Sequence, residues 1–335
     1  MQGETASPNL FTIYLSDLIK IMENSNTMGI NIMGKIAREV HILLFADDIV
    51  LLAPTANELQ KKINILSNYL VENSLTPNIS KTKIVVFRKA GPLSKKEKFK
   101  WLASEIEIVS SYKYLGVTFS SSGLFNLHKS NAISKAKGAL STIWNIINKG
   151  KMQIPDARFR IFDAMIQPIL LYASPVWGIN YLEELDTVQQ HFLKRLFKLP
   201  RHSPMYFVRL ENNRIHTQLQ VIKYTLNYWL HIMSKKDGTL LRDSYEALRR
   251  YSTFGSPSSK YNWTLKLQEI LSEVNMSHVW DSQSREIIKE NINVILDKYK
   301  EKLIQSDINK TNSSSSLPHY KNIMDKCEAR PSRGK

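Results

Sequence analysis

Two adjacent carboxylates stand in the middle of an apolar stretch, because residues 41–53 read HILLFADDIVLLA and contain Asp47 and Asp48. Neighbouring carboxylates repel each other, and burying them costs free energy unless something positive compensates. A carboxylate pair at a turn between strands can bind divalent ions that bridge phosphate groups. Asp is also common in ordinary polar turns. The stretch therefore leaves metal-dependent phosphate chemistry and simple turn formation both open.

The elements around this pair predict how it is positioned. Residues 41–45 and 49–53 are strand-like runs joined directly through the aspartates, which predicts a hairpin with the carboxylates at or beside its turn. Residues 8–22 predict a helix, followed by a connector that contains Gly29 and Gly34. The apolar stripe of that helix comprises Leu10, Ile13, Tyr14, Leu18 and Ile21.

The segment after the hairpin predicts a second helix and further strands. Thr55 and Glu58 have capping-box spacing, which predicts a helix that begins there. Its apolar stripe comprises Leu59, Ile63, Leu66 and Leu70, and it is predicted to stop within residues 73–77. Strands are predicted at residues 83–87, 106–109 and 112–119, with a basic loop over residues 88–100. Residues 1–120 thus predict an α+β region with a small, mostly antiparallel sheet.

From residue 126 onward the apolar pattern is helical. Helices are predicted at 127–148, 156–173 with a kink at Pro168, 182–199, 215–234, 263–275 and 281–304. Residues 252–260 favour a flexible link, and residues 306–335 favour a disordered tail. The predicted domains are 1–120, a helical region 121–235, a helical C-terminal region 236–305, and the tail 306–335.

Charge and cysteine content limit the class of protein. The 335 residues carry a formal net charge of +16, whereas residues 1–60 carry three basic and seven acidic side chains, a net of −4. The remainder therefore carries +20, which favours nucleic acid as a partner over a basic protein that has none. A single cysteine, Cys327, excludes a disulfide framework and a cysteine-rich zinc site. No signal peptide or membrane-spanning run is found, so we expect an intracellular protein of the nucleus or cytoplasm, without a membrane partner.

Several segments occur in a specific order around the aspartates: QGETASPNLFTIYLSDL, FADD, LTPNISKTKIVVF and YKYLGVTF. In this order they resemble motifs B, C, D and E of the reverse transcriptases of non-LTR (LINE-type) retrotransposons. FDAMIQPILLYASPVWG and LDTVQQHFLKRLFKLP resemble the helical region that follows in these elements. The resemblance covers roughly residues 2–235. It implies a partial polymerase palm followed by an all-α, thumb-like and C-terminal helical region.

The same resemblance implies a chemistry. The expected activity is RNA-templated DNA synthesis from an RNA template, a DNA primer and deoxynucleotides, with two Mg²⁺ or Mn²⁺ ions and no zinc. Asp47 would be the main metal ligand of the motif C hairpin, with Asp48 beside it. Lys81 would lie near the triphosphate and donate a proton to the leaving pyrophosphate; without the resemblance it could equally be a solvated lysine.

Roles for further residues are implied in the same way. The nucleotide and template would contact Gln2, Gly3, Ser7 and Pro8, and Phe45 would support the primer end. The primer backbone would contact Tyr114, Leu115 and Gly116, although a strand followed by a turn explains these residues too. Phosphates would contact Lys194, Arg195, Lys198 and Arg201, unless these only form the basic outer face of an amphipathic bundle. Trp144, Trp177 and Trp229 are assigned to the core.

The sequence departs from the family pattern in ways that bear on activity. A third carboxylate and the fingers precede motif B in these polymerases, and neither Glu4 nor Asp17 obviously replaces that carboxylate. Ser74 stands where the family usually has glycine. We therefore expect a portion of a reverse transcriptase that is catalytically incomplete by itself. The alternatives are a non-catalytic nucleic-acid-binding protein and a retrotransposon relic without function.

Overall fold

The computed structural model describes residues 7–33, 37–88, 91, 97–152, 154–253 and 262–314. The protein is an α+β protein, predominantly helical with small sheets, as the sequence predicts. Its described strands are β1 Ile30–Met33, β2 Ala37–Val40, β3 Ile42–Phe45, β4 Asp48–Leu51, β5 Lys83–Ile84, β6 Phe99–Trp101, β7 Ser104–Ile108, β8 Ser111–Tyr114 and β9 Val117–Ser120.

The helices belong to both halves of the chain. In the first half they are α1 Ser7–Tyr14, α2 Ser16–Asn24 and α3 Ala56–Glu72. The later helices are α4 Asn126–Lys149, α5 Pro155–Met165, α6 Gln167–Leu170, α7 Ser174–Trp177, α8 Leu182–Leu196, α9 Met205–Glu211, α10 Thr217–Met233, α11 Leu240–Thr253, α12 Trp263–Glu273, α13 Ser277–Ser282 and α14 Arg285–Ser313. None of the described helices is long and apolar enough to cross a bilayer.

The chain divides into two compact units. Unit 1 comprises residues 1–128 together with 235–256, and unit 2 comprises residues 129–234 together with 257–335. The predicted domain boundaries at residues 120, 235 and 305 stay predictions.

The core of unit 1 forms around α3. The predicted stripe of this helix is confirmed, since Ile63, Leu66 and Leu70 are buried and Leu59 is half-buried. This stripe belongs to one apolar cluster with residues of α2, of β3 and of the sheet formed by β5, β6 and β7. Burying this face anchors the strands on either side of Asp47 and Asp48 to a rigid helix.

Both ends of α3 are capped. The Thr55 hydroxyl accepts a hydrogen bond from the Glu58 N–H, 3.3 Å away, as the capping-box spacing predicts. At the other end, the Ser74 N–H donates to the Val71 carbonyl and the Leu75 N–H to the Leu70 carbonyl, which is a Schellman motif. Ser74 has a φ of 55°, a left-handed conformation that glycine adopts without strain. This conformation explains why the family usually has glycine there.

The predicted helix over residues 8–22 is wrong in continuity and in its apolar face. The chain forms α1 and α2, which are separated at Leu15. Leu15, Leu18 and Met22 are the buried residues, whereas Leu10 and Ile13 are exposed. The break occurs because the chain turns at Leu15 to bury these three side chains against α3, and helical spacing alone could not distinguish the two faces.

The strands also differ from the prediction. Residues 30–33 and 37–40, predicted as part of a connector, form the paired strands β1 and β2, and residues 112–119 form two strands rather than one. The Lys83–Phe87 strand is only two residues long, and it pairs in parallel with β7. The predicted basic loop contains the start of β6, because Phe99 and Trp101 are buried in the core. Residues 89–90 and 92–96 of that loop lie outside the described residues.

The predicted helices of unit 2 exist with shifted ends. The kink at Pro168 is a break, since α5 ends at Met165 and α6 begins at Gln167; proline has no N–H to continue the helical bonds. The sequence reading missed α9 and α11. The predicted tail is corrected for residues 306–313, which belong to α14, and residues 315–335 lie outside the described range. Trp144, Trp177 and Trp229 are buried, as predicted.

Candidate metal and nucleic-acid site

The predicted hairpin is confirmed, with the aspartates at its tip. β3 pairs with β4 in antiparallel register, Phe45 lies opposite Asp48, and Ala46 and Asp47 form the two-residue turn. Ala46 has a φ of 50°, a conformation that costs free energy for a residue with a Cβ. Strained backbone of this kind clusters at functional sites, so the tip differs from an ordinary polar turn in which glycine would be preferred.

The two carboxylates are accessible. Asp47 and Asp48 are both exposed, and neither forms an ion pair within the described part of the chain. Mg²⁺ is commonly held by one or two carboxylates, with water and substrate phosphates as its other ligands. The donor set at the tip therefore fits one such ion. Over the described residues, no group of three His, Cys, Asp or Glu side chains that could hold a metal is present.

The base of the hairpin is fixed by a buried lysine that the sequence reading missed. Lys62 of α3 is fully buried, and its ammonium donates hydrogen bonds to the carbonyl of Met28, at 2.7 Å, and to that of Leu52, at 2.5 Å. Leu52 directly follows β4, and its N–H donates to the His41 carbonyl that precedes β3. A signal existed in the sequence, since Lys62 lies on the same helix face as the apolar stripe of α3.

Glu58 of α3 is a second side chain that bonds the backbone of Met28. Its carboxylate accepts hydrogen bonds from the Met28 N–H and from the Lys61 ammonium, each at 2.7 Å, which lowers its pKa. The capping box is therefore half formed, because Glu58 bonds Met28 rather than the start of its own helix. Gly29, which follows Met28, has no room for a side chain, because a Cβ there would lie 2.8 Å from the Val40 carbonyl oxygen.

The loop that contains Lys81 is held in place by two sets of contacts. The Asn78 side chain accepts a hydrogen bond from the Lys81 N–H at 3.2 Å, and the Tyr112 hydroxyl donates to the Lys81 carbonyl at 3.2 Å. The Lys81 side chain is exposed. Because Tyr112 lies on β8, this bond joins the predicted motif D segment to the predicted motif E strand.

Strand β8 also carries Tyr114, on which the charge of Asp48 at the hairpin tip acts. Tyr112 and Tyr114 are two residues apart on β8 and so lie on one side of it. Burial raises the pKa of Tyr114, and the nearby negative charge of Asp48 raises it further. After Tyr114, Leu115 and Gly116 form the β8–β9 turn with φ values of 44° and 83°. Through β8, unit 1 thus joins the Lys81 loop to a tyrosine on which the charge of Asp48 acts.

The other predicted site residues of unit 1 are only partly described by the structure. Phe45 is 60% exposed beside the tip. Ser7 and Pro8 begin α1, whereas Gln2 and Gly3 lie outside the described residues. Asp17 does not supply a metal ligand, because its carboxylate accepts a 2.5 Å hydrogen bond from the Tyr69 hydroxyl. Burial and this bond raise the pKa of Tyr69 to about 12.

The four predicted phosphate-binding residues divide into two pairs. The Lys194 ammonium donates to the Arg201 carbonyl at 2.6 Å, so Lys194 closes the turn after α8. Arg195 and Lys198 are exposed, and the Arg195 guanidinium stacks 4.8 Å from the ring centre of Trp144. Two residues that the sequence analysis did not assign, Lys137 and His191, lie near Arg195. The positive charges of Lys137 and Arg195 lower the pKa of His191.

Comparisons with known proteins agree with the motif order. Residues 1–119 match the family model described as reverse transcriptase (RNA-dependent DNA polymerase). Over these residues the chain is similar to reverse transcriptases. This match covers the hairpin, the Lys81 loop and the β8–β9 turn, and it confirms the resemblance drawn from the motifs.

Relatives extend the likeness into the helical half. The chain is 24% identical over 209 residues to the RNA-directed DNA polymerase from mobile element jockey of Drosophila funebris, covering 59% of this chain and 22% of that protein. It is 25% identical over 254 residues to the Pol polyprotein of the type-1 retrotransposable element R2 of Popillia japonica, covering 71% and 38%. A transposon-derived protein of Caenorhabditis elegans is 27% identical over 240 residues, covering 68% and 79%. The chain is thus similar to part of these retrotransposon proteins, and it spans well under half the length of the first two relatives.

Proposed function

We propose that unit 1 is the part of an RNA-directed DNA polymerase palm that holds the catalytic carboxylates. The observation that carries this proposal is the β3–β4 hairpin, which presents Asp47 and Asp48 at an exposed tip where Ala46 has a positive φ. The family match over residues 1–119 supports it. The RNA template, the DNA primer and the deoxynucleotides are the substrates that this assignment implies.

The residues of the hairpin and of the neighbouring segments would have different roles in the reaction. Asp47 and Asp48 would hold Mg²⁺ or Mn²⁺, which when bound neutralises phosphate charge and stabilises the attacking and leaving oxygens. The Lys81 ammonium, exposed on a loop that Asn78 and Tyr112 fix, is placed to approach a triphosphate and to donate a proton to pyrophosphate. The left-handed turn at Leu115 and Gly116 allows a primer backbone to approach closely.

Metal binding tests this assignment directly. Replacing Asp47 by asparagine is expected to weaken Mn²⁺ binding by about ten-fold or more, because one charged ligand of the ion is lost. The affinity can be measured for the 335-residue protein by electron paramagnetic resonance of free Mn²⁺. Glu105→Gln is the matched control, since Glu105 is an exposed carboxylate of the same unit away from the tip. An equal effect of the two substitutions would remove the hairpin from consideration as a metal site.

Primer extension gives a second readout. With only two carboxylates at the tip and no third metal-binding side chain beside them in the described residues, the 335-residue protein by itself is expected to extend no primer on an RNA template with Mg²⁺. Robust extension that Asp47→Asn abolishes would overturn the expectation that this portion is catalytically incomplete.

A non-catalytic nucleic-acid-binding protein is the second candidate function. The observation that favours it is the charge of unit 2, where α4 contains no Asp or Glu over residues 126–149. This candidate expects binding to RNA or DNA that falls with salt and does not depend on Asp47 or Asp48. Tight metal binding at the hairpin distinguishes the polymerase portion from it.

A further inference from the structure

Two stretches of the helical half contain basic residues and no acidic residue. α4 carries four lysines and no acidic residue over residues 126–149, and residues 187–210, from α8 into α9, also contain none. Exposed basic residues are normally interspersed with acidic ones, which limits their mutual repulsion. Two neighbouring stretches of one sign therefore indicate an anionic partner.

The contacts between the helices show which cations meet. Lys129 of α4 forms a 3.0 Å ion pair with Glu184 at the start of α8. Further along both helices, the Trp144 ring stacks 5.4 Å from that of Phe192, and the Arg195 guanidinium lies 4.8 Å from the centre of the Trp144 ring. The Trp144 contacts thus mark a place where α4 and α8 bring side chains together.

Near these contacts lie two cations, Lys137 and Arg195, and the titratable ring of His191; we call these three residues the cationic edge. Lys137 lies seven residues before Trp144 and so shares its flank of α4, whereas His191 and Arg195 are one turn apart on α8. All three are exposed, and none forms an ion pair with a carboxylate of the described chain. The Trp144 ring orients the Arg195 guanidinium by cation–π contact.

The cations act on one another. Partial burial lowers the pKa of His191, and the positive charges of Lys137 and Arg195 lower it further. These two, one from each helix, are the charged groups that act on the His191 ring. A bound phosphate would relieve this repulsion and favour protonation of the imidazole.

We propose that the cationic edge of Lys137, His191 and Arg195 binds successive phosphates of a nucleic-acid strand, with His191 adding a third charge when it is protonated. This deepens the proposed function by identifying a backbone-binding surface in unit 2, and it rests on nucleic acid being the partner. It also revises the sequence prediction, because Lys194 is used to close a turn while Lys137 and His191 join Arg195.

The test is fluorescence anisotropy of labelled 20-nucleotide oligouridylate RNA with the 335-residue protein across a salt series. Each released counterion contributes about 0.7 to the slope of log affinity against log salt for single strands, so Lys137→Gln and Arg195→Gln should each reduce the slope by about that amount at pH 7.5. His191→Asn should leave the slope unchanged at pH 7.5 and remove the gain in affinity that wild type shows at pH 5.5.

Lys135→Gln is the matched control. Lys135 is an exposed lysine of the same helix, two residues away and therefore on the opposite flank from Lys137 and Trp144. We expect less than a two-fold change in affinity for it, with the melting temperature of every variant recorded as a check on folding. An effect of Lys135→Gln equal to that of Lys137→Gln, or no effect of the three edge variants, would overturn the proposal. Glu105→Gln should bind RNA like wild type, and Mn²⁺ binding is measured separately, so failure of the metal site and failure of the edge are separable.

Discussion

Replacing Asp307 by asparagine is expected to lower the free energy of unfolding of unit 2 by about 3 kcal/mol. Asp307 of α14 is buried, and its carboxylate accepts two 2.8 Å hydrogen bonds from the Arg209 guanidinium. It also accepts a 3.0 Å bond from the His216 ring. An amide can accept at only one of these positions and carries no charge, so it would leave buried Arg209 without its main partner.

The second carboxylate of this cluster cannot compensate. Asp186 of α8 accepts from the His216 ring at 3.0 Å and from the Thr217 N–H at 2.8 Å, and it lies 3.5 Å from the Arg209 guanidinium. Because both ring nitrogens of His216 face carboxylates, the imidazole donates from both and is positively charged. Without Asp307, two buried cations would share one carboxylate.

Urea denaturation followed by tryptophan fluorescence measures this effect, since five of the six tryptophans belong to unit 2 and only Trp101 belongs to unit 1. Asp297→Asn is the control, because Asp297 lies on the same helix and is exposed. A change below about 0.5 kcal/mol for Asp307→Asn would contradict the expectation that the cluster holds α14 to the rest of unit 2.

The same cluster makes the stability of unit 2 depend on pH. Burial acts to lower the pKa of His216, but the bonds to Asp186 and Asp307 outweigh it and raise the pKa above its ordinary 6.5. Stability from this group is therefore complete below about pH 6.5 and is lost as the pH rises through the raised pKa. Burial acts to raise the pKa of Asp307, but Arg209 and His216 hold it below 3.8, so its contribution is present above that value and is lost at lower pH. Urea midpoints should be highest between these limits, and this maximum should flatten in Asp307→Asn.

Replacing Lys62 by methionine is expected to destabilise unit 1 by about 3 kcal/mol. Methionine has a similar length but cannot donate, so the carbonyls of Met28 and Leu52 would be left buried without partners. Burial lowers the pKa of Lys62, while the charges of Glu39 and Glu58 favour its protonated form. Losing the ammonium would also remove a positive charge that acts on both carboxylates.

Amide hydrogen exchange is suited to this variant, because it reports on unit 1 separately. Peptides spanning β3, β4 and α3 should lose about 100-fold in protection, which corresponds to the expected free energy at 1.4 kcal/mol per factor of ten. Lys98→Met is the control, since Lys98 is exposed and its ion pair with Glu105, also exposed, contributes less than about 1 kcal/mol. Similar protection in wild type and Lys62→Met would show that the hairpin base is held by its apolar contacts alone.

The sequence by itself indicated the resemblance to reverse transcriptases and the local form of the β3–β4 hairpin. Apolar runs predicted the strands around Asp47 and Asp48, capping-box spacing predicted the start of α3, and helical apolar spacing predicted its stripe and the helices α4, α8 and α10. These features follow from short-range rules of periodicity, capping and turn chemistry, so a single sequence contains enough information to find them.

Only the tertiary structure decided which polar side chains form hydrogen bonds inside the protein. Lys62 resembles any lysine in the sequence, yet it is buried between two carbonyls, and Asp17 is occupied by Tyr69 rather than free for a metal. Asp307 falls in a segment predicted to be disordered and is buried against Arg209, which lies 98 residues earlier. Likewise, Lys137 meets His191 and Arg195 only because α4 packs beside α8. Contacts between residues so far apart depend on how elements pack, and no local pattern in the chain encodes that packing.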